Sequence, residues 1–187
     1  MVILINGTSS SGKTAVAKEL QEILGGYPLN FSIDSVLYGL PGSALKRMTT
    51  GQKNPGLSYT KLEEGFYKCA RALADLGHDL VIDNAIVTPR SAKLMVEYLN
   101  GISVLMVGLT CSTDELKRRE LQRGDRTIGE AESQVDIIHK HCVYDVHLDS
   151  TKLSPLILAQ EIQAHIEKGS PWSGFENTKL QLQALPA

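Results

Sequence analysis

The stretch VILINGTSSSGKT, residues 2–14, decides the fold of this chain. It opens with a short apolar run, Val2–Ile5, and leads into the periodic apolar positions of a predicted helix over Ala15–Leu24. A continuous apolar run suits a strand that is buried on both faces, as in a parallel sheet. Between them, Gly7–Thr14 has the spacing G-x-x-x-x-G-K-[ST] of a phosphate loop. Strand, loop and helix in this order predict an α/β protein that binds nucleotide phosphates.

Each position of the loop has a physical reason. Gly7 and Gly12 permit backbone conformations and a close phosphate approach that a side chain would block. The loop N–H groups and the positive end of the following helix hold an anion with fixed dipoles. Lys13 adds a mobile positive charge for the β- and γ-phosphates, and the Thr14 hydroxyl is suited to ligating Mg²⁺. The expected nucleotide-binding residues are Gly7, Thr8, Ser9, Ser10, Ser11, Gly12, Lys13 and Thr14.

Strand-like apolar runs alternate with helical periodicity along the rest of the chain, which predicts a parallel sheet covered by helices on both faces. The expected architecture is a three-layer α/β/α sandwich with a five-stranded parallel sheet. Residues 1–168 are expected to form one domain. Residues 169–187 show no clear period and are expected to form a C-terminal extension. The predicted strands are Val2–Ile5, Leu29–Ile33, Leu80–Ile82, Ile102–Leu109 and Val143–Leu148.

Composition narrows the class of protein. The chain has 187 residues, 42% hydrophobic and 21% charged, which is typical of one globular domain. A net charge of -2 disfavours a general nucleic-acid binder. Three widely spaced cysteines predict no disulfide framework and favour a reducing compartment. No apolar run reaches the length of a membrane span. We therefore expect a cytoplasmic protein with neither nucleic-acid nor membrane partners.

Two acids follow predicted strands, where ligands bind in parallel sheets. Asp34 follows Leu29–Ile33, and Asp83 follows Leu80–Ile82. One carboxylate can hold Mg²⁺ beside Thr14, directly or through water, and the other can accept a proton from an attacking hydroxyl. The alternative is that either acid caps a following helix.

Residues 117–126, KRRELQRGDR, carry five basic and two acidic side chains. Arginines at the end of a helix, followed by glycines, can close over a triphosphate and neutralise charge that develops during transfer. This pattern predicts a lid near residues 118–130, with Arg123 and Arg126 as its phosphate-binding residues. Solvated helix charges are the alternative interpretation.

Several segments together resemble the chloramphenicol phosphotransferase family: ILINGTSSSGKT, IDSVLYGLP, VIDNAIV and RGDRTIGEAESQVDIIHKHCVYDVHLDS. The resemblance runs from residue 2 to about residue 168. It implies a P-loop kinase related to shikimate and adenylate kinases, which transfers the γ-phosphate of ATP to a hydroxyl of a small molecule. It also implies that Asp34 is the catalytic base and that Arg123 and Arg126 are the lid arginines. The sequence departs from the family at Asn84 and in segment 37–58, where the acceptor should bind.

The sequence therefore predicts an ATP- and Mg²⁺-dependent O-phosphotransferase that acts on chloramphenicol or a similar antibiotic. Asp34, Lys13 and Arg126 are the expected catalytic residues, and Thr14 and Asp83 the expected metal-binding residues. A nucleoside, nucleotide or other metabolite kinase of the same fold is one alternative, and a nucleotide-binding regulatory module is another. A GTPase switch is disfavoured, because the sequence has no N-K-x-D motif. The expected partner is a small molecule that supplies the acceptor hydroxyl. The sequence is also compatible with a homo-oligomer.

Overall fold

The computed structural model describes residues 1–123, 129–169 and 171–184. Within these ranges five parallel strands form one sheet in the order β2-β3-β1-β4-β5. The strands are β1 (Val2–Gly7), β2 (Leu29–Asn30), β3 (Leu80–Asn84), β4 (Val104–Thr110) and β5 (Val146–Asp149). The helices are α1 (Lys13–Ile23), α2 (Ile33–Leu37), α3 (Gly42–Thr49), α4 (Tyr59–Asp75), α5 (Pro89–Leu99), α6 (Thr113–Arg123), α7 (Glu130–Gln134), α8 (Pro155–Glu167) and α9 (Gly174–Gln183).

The sheet separates two apolar layers, which confirms the predicted three-layer architecture. On one face, Val2 and Leu4 of β1 pack with Phe66 of α4 and Met95 of α5. On the other face, Ile3 and Ile5 pack with residues of α1 and α8, including Leu20 and Ile162. Successive strand residues alternate between the two layers, so the central strands β1, β3 and β4 are buried on both sides, whereas the edge strands β2 and β5 are partly exposed. Because all strands are parallel, the loops after their carboxyl ends gather at one edge, which is where the candidate site lies.

The second strand is shorter than expected. The prediction extended it over Leu29–Ile33, but β2 ends at Asn30 and α2 begins at Ile33. Ser32 caps this helix, and its backbone N–H donates to Ser35 Oγ (3.3 Å). A serine cap stabilises the first turn of a helix and competes with strand pairing. Asp34 therefore lies in the first turn of α2 and does not terminate a strand.

Although residues 169–187 show no clear period in sequence, residues 174–183 form the helix α9. Its Phe175 and Leu182 are buried in the core layer that also contains α5. The Asp145 carboxylate holds the start of α9 by accepting from the N–H groups of Ser173 (2.7 Å) and Gly174 (2.8 Å). The division into a domain over 1–168 and an extension over 169–187 stays a prediction. Among the described helices, none has the length and hydropathy needed to cross a membrane.

Candidate active site

The phosphate loop begins where β1 ends, and its shape depends on two glycines. A Cβ on Gly7 would lie 2.5 Å from the carbonyl oxygen of Leu109 on β4, so a side chain cannot be accommodated there. Gly12 has φ +96°, a left-handed conformation that disfavours residues with a Cβ. It precedes α1, whose first residue is Lys13. The backbone therefore turns tightly between the sheet and a helix N-terminus, as the motif requires.

Three hydroxyls of this loop are buried without a hydrogen-bond partner among the described residues. They are Thr8 Oγ1, Ser10 Oγ and Ser11 Oγ. A buried hydroxyl without a partner costs free energy, and such groups in a native protein call for an explanation. A bound phosphate would bring acceptor oxygens to this loop. The Lys13 ammonium lies at the same place and donates to the carbonyl oxygen of Thr8 (2.7 Å). The loop thus fits a polyphosphate.

Arg119 braces the back of the loop, a contact that the sequence reasoning missed. Its Nη1 donates to the carbonyl oxygen of Ser11 (3.1 Å), and its Nη2 donates to the carbonyl oxygen of Ser150 (2.6 Å). The Ser150 hydroxyl also donates to the Ser11 carbonyl (2.7 Å). The sequence signal was available, since Arg119 lies one helical turn before Arg123 on the same face of α6. The guanidinium joins α6, the loop after β5 and the phosphate loop.

Gln134, at the end of α7, touches the phosphate loop from the opposite direction. Its Oε1 accepts a hydrogen bond from the Ser9 N–H (2.7 Å). The start of α7 is fixed by Glu120 of α6, whose buried carboxylate accepts from the N–H groups of Gly129 (2.6 Å) and Ala131 (3.0 Å). Helices α6 and α7 thus both reach the loop, through Arg119 and Gln134.

Asn6, the residue before the loop, connects three surrounding segments. Its Nδ2 donates to the carbonyl oxygen of Ile138 (2.8 Å) and to the Tyr144 hydroxyl (2.7 Å). Its Oδ1 accepts from the N–H of Ile86 (2.8 Å), in the loop after β3. His139 Nδ1 shares a hydrogen bond with the same Tyr144 hydroxyl (2.8 Å). This network fixes the position at which β1 enters the phosphate loop.

His139 provides a prediction for the dependence of stability on pH. Burial, and then the positive charges of His147 and Lys13, lower the pKa of His139 from 6.5 to about 4. His139 therefore becomes protonated near pH 6.5 in the unfolded chain but only near pH 4 in the folded chain. Between these two pH values the unfolded state binds more protons, so the free energy of unfolding decreases as the pH falls. We expect the melting temperature of His139→Gln to fall less than that of the wild type between pH 7 and pH 4.5. Equal slopes in thermal melts would contradict this assignment.

Asp83 lies inside β3, one residue before its end, and its Cα pairs with that of Ile5 in β1. The prediction had placed it just after the strand. Its carboxylate is buried, and Oδ2 has no hydrogen-bond partner among the described residues. A carboxylate oxygen of this kind, on the strand next to the phosphate loop, fits a ligand of Mg²⁺. The next residue, Asn84, has a structural role: its Nδ2 donates to the Tyr67 hydroxyl (2.8 Å).

Asp34 lies at the same edge of the sheet, on the side of β2 and β3. It is half-buried in the first turn of α2. Apolar and aromatic residues pack around this region, and the Phe31 and Phe66 rings stack with centroids 5.0 Å apart. Glu63 of α4 is also buried here; its burial raises the pKa, opposed by the Ser91 hydroxyl and the charge of Arg90. Ile33 and Val36, which flank Asp34 in α2, pack against this apolar layer.

Of the two predicted lid arginines, the structure describes Arg123. Arg123 ends α6 and is exposed. Arg126 lies outside the described residues, as do residues 124–128 of the predicted lid. The phosphate-binding roles of Arg123 and Arg126 therefore stay predictions.

A cleft of about 300 Å³ adjoins the loop on the side of α6 and α8. Gly12 and Val16 form one wall, Arg118 and Arg119 a second, and Leu153 lies on a third. Its position beside the phosphate loop and its partly apolar lining suit a flat aromatic group joined to the phosphates. The site therefore combines a phosphate loop, an adjoining cleft and acids at the sheet edge.

Comparisons with known proteins agree with this description. Residues 1–167 match the family model described as chloramphenicol phosphotransferase-like protein. A Mycobacterium tuberculosis H37Rv protein provisionally named an O-phosphotransferase is 29% identical over 179 aligned positions, which span 86% of this chain and 80% of that protein.

Among solved structures, a sugar kinase from Janibacter sp. HTCC2649 has a TM-score of 0.69 and 17% identity, covering 89% of this chain and 94% of its own. A gluconokinase from Sinorhizobium meliloti 1021 has a TM-score of 0.65 and 18% identity, covering 96% of both chains. The tunicamycin resistance protein of Deinococcus radiodurans has a TM-score of 0.62 and 20% identity, covering 88% of this chain and 94% of its own. At these identities the likeness shows a shared fold.

Proposed function

This chain belongs to the chloramphenicol phosphotransferase-like family, and from that premise we propose that it moves the γ-phosphate of ATP to a hydroxyl of an antibiotic-like small molecule. The enzyme class, a phosphotransferase of P-loop fold, follows from the family and from the fold. The observation that supports nucleotide binding is the set of three buried loop hydroxyls that lack a partner among the described residues. They lie beside Lys13, at the same sheet edge as Asp34.

For the nucleotide, the proposal assigns the β- and γ-phosphates to the loop Gly7–Thr14. Loop N–H groups, the N-terminus of α1 and the Lys13 ammonium would hold their negative charge. The base would enter the cleft between Val16 and Leu153, against the guanidinium groups of Arg118 and Arg119. A guanidinium plane stacks well on an aromatic ring, which suits this position. Arg123 and Arg126 are proposed to contact the transferring phosphoryl group.

For Mg²⁺, the proposed ligands are the Thr14 hydroxyl and, directly or through water, the Asp83 carboxylate. Bound there, the ion would neutralise charge on the β- and γ-phosphates. This assignment makes Asp83→Asn a useful variant, because the amide keeps the size of the side chain and loses the charge. We expect the Mg²⁺ concentration for half-maximal activity to rise by about tenfold, an effect of 1.4 kcal/mol. An unchanged Mg²⁺ titration would remove Asp83 from the metal site.

For the chemistry, Asp34 is the proposed base. Its carboxylate takes the proton of the acceptor hydroxyl while the acceptor oxygen attacks the γ-phosphorus in line. The bond from the γ-phosphorus to the bridging oxygen breaks, and ADP leaves with that electron pair. The products are ADP and the phosphorylated acceptor, with the proton on Asp34 released to water. Lys13 and the arginines would stabilise the negative charge during transfer.

For the acceptor, apolar surroundings near Asp34 favour a compound with an apolar or aromatic body and a free hydroxyl, such as chloramphenicol. The test is a screen for acceptor-dependent ADP release against antibiotics, nucleosides and polyols, followed by mass spectrometry for the gain of one phosphoryl group. Transfer to an amphenicol or another aromatic antibiotic supports the proposal. Transfer only to nucleosides or sugars would show that the acceptor belongs to one of those classes and is not an antibiotic. ATP binding without any transfer would favour a regulatory module.

A further inference from the structure

We propose that Gln134 is a positioning residue for the terminal phosphate of ATP, exchanging its hydrogen bond with the phosphate loop for one with the phosphoryl group. The inference rests on the proposed function, since it requires ATP in the loop. It starts from a single contact: Gln134 Oε1 accepts the Ser9 N–H at 2.7 Å. N–H groups of a phosphate loop are donors for phosphate oxygens. The amide oxygen of Gln134 therefore stands where a phosphate oxygen would accept.

The position of Lys13 indicates which phosphate is involved. Its ammonium donates to the carbonyl oxygen of Thr8, the residue directly before Ser9. In phosphate loops this lysine serves the β- and γ-phosphates, whereas the helix N-terminus holds the phosphates nearer the sugar. Thr8 and Ser9 thus belong to the part of the loop that serves the end of the triphosphate. The lowered pKa of His139, to which the Lys13 charge contributes, agrees that the segment after α7 faces the same ammonium.

The chemistry of a primary amide suits such an exchange. An amide carries one acceptor oxygen and one donor nitrogen on the same planar group. Facing the loop, Gln134 accepts from Ser9. When a phosphate oxygen takes over the Ser9 N–H, a rotation of the amide turns its NH₂ toward the phosphoryl oxygens. Glutamate could accept from Ser9 but would repel the phosphate, and methionine, which is similar in length, could do neither.

The surrounding structure allows the side chain to move while its helix stays in place. The first turn of α7 is held by the buried carboxylate of Glu120 through two backbone N–H groups. Beyond α7, the carbonyl oxygen of Ile138 accepts from Asn6. Arg119 independently fixes the Ser11 carbonyl at the back of the loop. The Gln134 contact is therefore a separate one, and its exchange requires no rearrangement of these anchors.

The test compares nucleotide affinity in wild type, Gln134→Glu and Gln134→Met, with Gln160→Glu on the exposed side of α8 as a control for added charge. Calorimetry measures binding of Mg²⁺ with ADP and of Mg²⁺ with a non-hydrolysable ATP analogue. We expect Gln134→Glu to weaken the ATP analogue by at least about tenfold more than it weakens ADP. Gln134→Met should reduce the preference for the ATP analogue in the same direction by a smaller factor. Gln160→Glu should leave both affinities unchanged.

The ratio of the two affinities separates positioning from a structural role, because a general loosening of the loop would weaken ADP and the ATP analogue alike. An unchanged ratio in Gln134→Glu and Gln134→Met would overturn the inference. If the wild-type protein binds neither nucleotide, the proposed function itself fails. If it binds both and transfers phosphate while the ratio stays constant, only the role of Gln134 is refuted.

Discussion

Asp34→Asn is expected to lower the rate of phosphate transfer by about 10²–10⁴-fold, the range that general base catalysis contributes. The amide keeps the shape of the side chain but cannot take the proton of the acceptor hydroxyl. Asp34 lies in the first turn of α2, away from the loop Gly7–Thr14 along the sheet edge, so nucleotide affinity should be unchanged. Steady-state kinetics with the acceptor found by screening, together with ATP binding by calorimetry, measure the two effects separately.

Asp114→Asn on the exposed first turn of α6 is a matched control, since it removes one carboxylate that is not among the residues of the phosphate loop or of the cleft. It should retain full activity. A variant of Asp34 that turns over normally would exclude this residue as the base. Loss of ATP binding together with activity would instead indicate that Asp34 supports the loop.

Gly7→Ala is expected to destabilise the protein by about 3 kcal/mol, because its Cβ would lie 2.5 Å from the carbonyl oxygen of Leu109. The Cα atoms of Gly7 and Leu109 are register partners of the β1–β4 pair, so relief requires two central strands to separate. For a chain of this length, such a loss corresponds to a fall in melting temperature on the order of 10 °C. The same displacement would misplace the loop, and ATP binding should weaken with stability.

Gly65→Ala is the same chemical change, but we expect it to increase the stability of the protein. Gly65 lies inside α4, and a Cβ there meets nothing within 4 Å among the described atoms. Alanine favours a helix over glycine by about 0.5–1 kcal/mol, so this variant should be slightly more stable than the wild type. Thermal unfolding of both variants tests the pair. A stable Gly7→Ala would show that the two strands can separate at little cost.

Much of the fold was predictable because it depends on local patterns. Continuous apolar runs predicted the existence of all five strands, although β5 begins at Val146 and not at Val143. Helical periodicity predicted most helices, and the loop motif is encoded by adjacent residues. The boundary of β2 was wrong because Ser32 caps a helix within a run that is also compatible with a strand. Helix α9 has a weakly amphipathic sequence, and what stabilises it is distant: Phe175 and Leu182 enter the core beside α5.

The residues of the candidate site also fall into those that local sequence patterns identify and those that only the folded structure identifies. The loop residues follow from the motif, and Asp34 and Asp83 were singled out because they lie near strand ends; their roles stay predictions. Arg119 and Gln134 were not assigned to the loop, since their contacts with Ser11 and Ser9 span more than a hundred residues of sequence. The spacing of Arg119 to Arg123 places both on one face of α6, but no spacing rule identifies Ser11 or Ser9 as a partner. The tertiary contacts of α6 and α7 with the phosphate loop bring them together.

Asp145 shows that the length of a functional signature and the length of a stable fold differ in this chain. Its carboxylate accepts from Met106 of β4 (2.9 Å) and from Ser173 and Gly174 at the start of α9. The family match ends at residue 167, before either of those last two donors. Truncation of the chain at residue 167 would remove the two N–H groups that donate to the Asp145 carboxylate. It would also expose the apolar residues of the sheet face that α9 covers. A chain cut at residue 167 is therefore expected to be less stable than one that keeps α9 through Gln183.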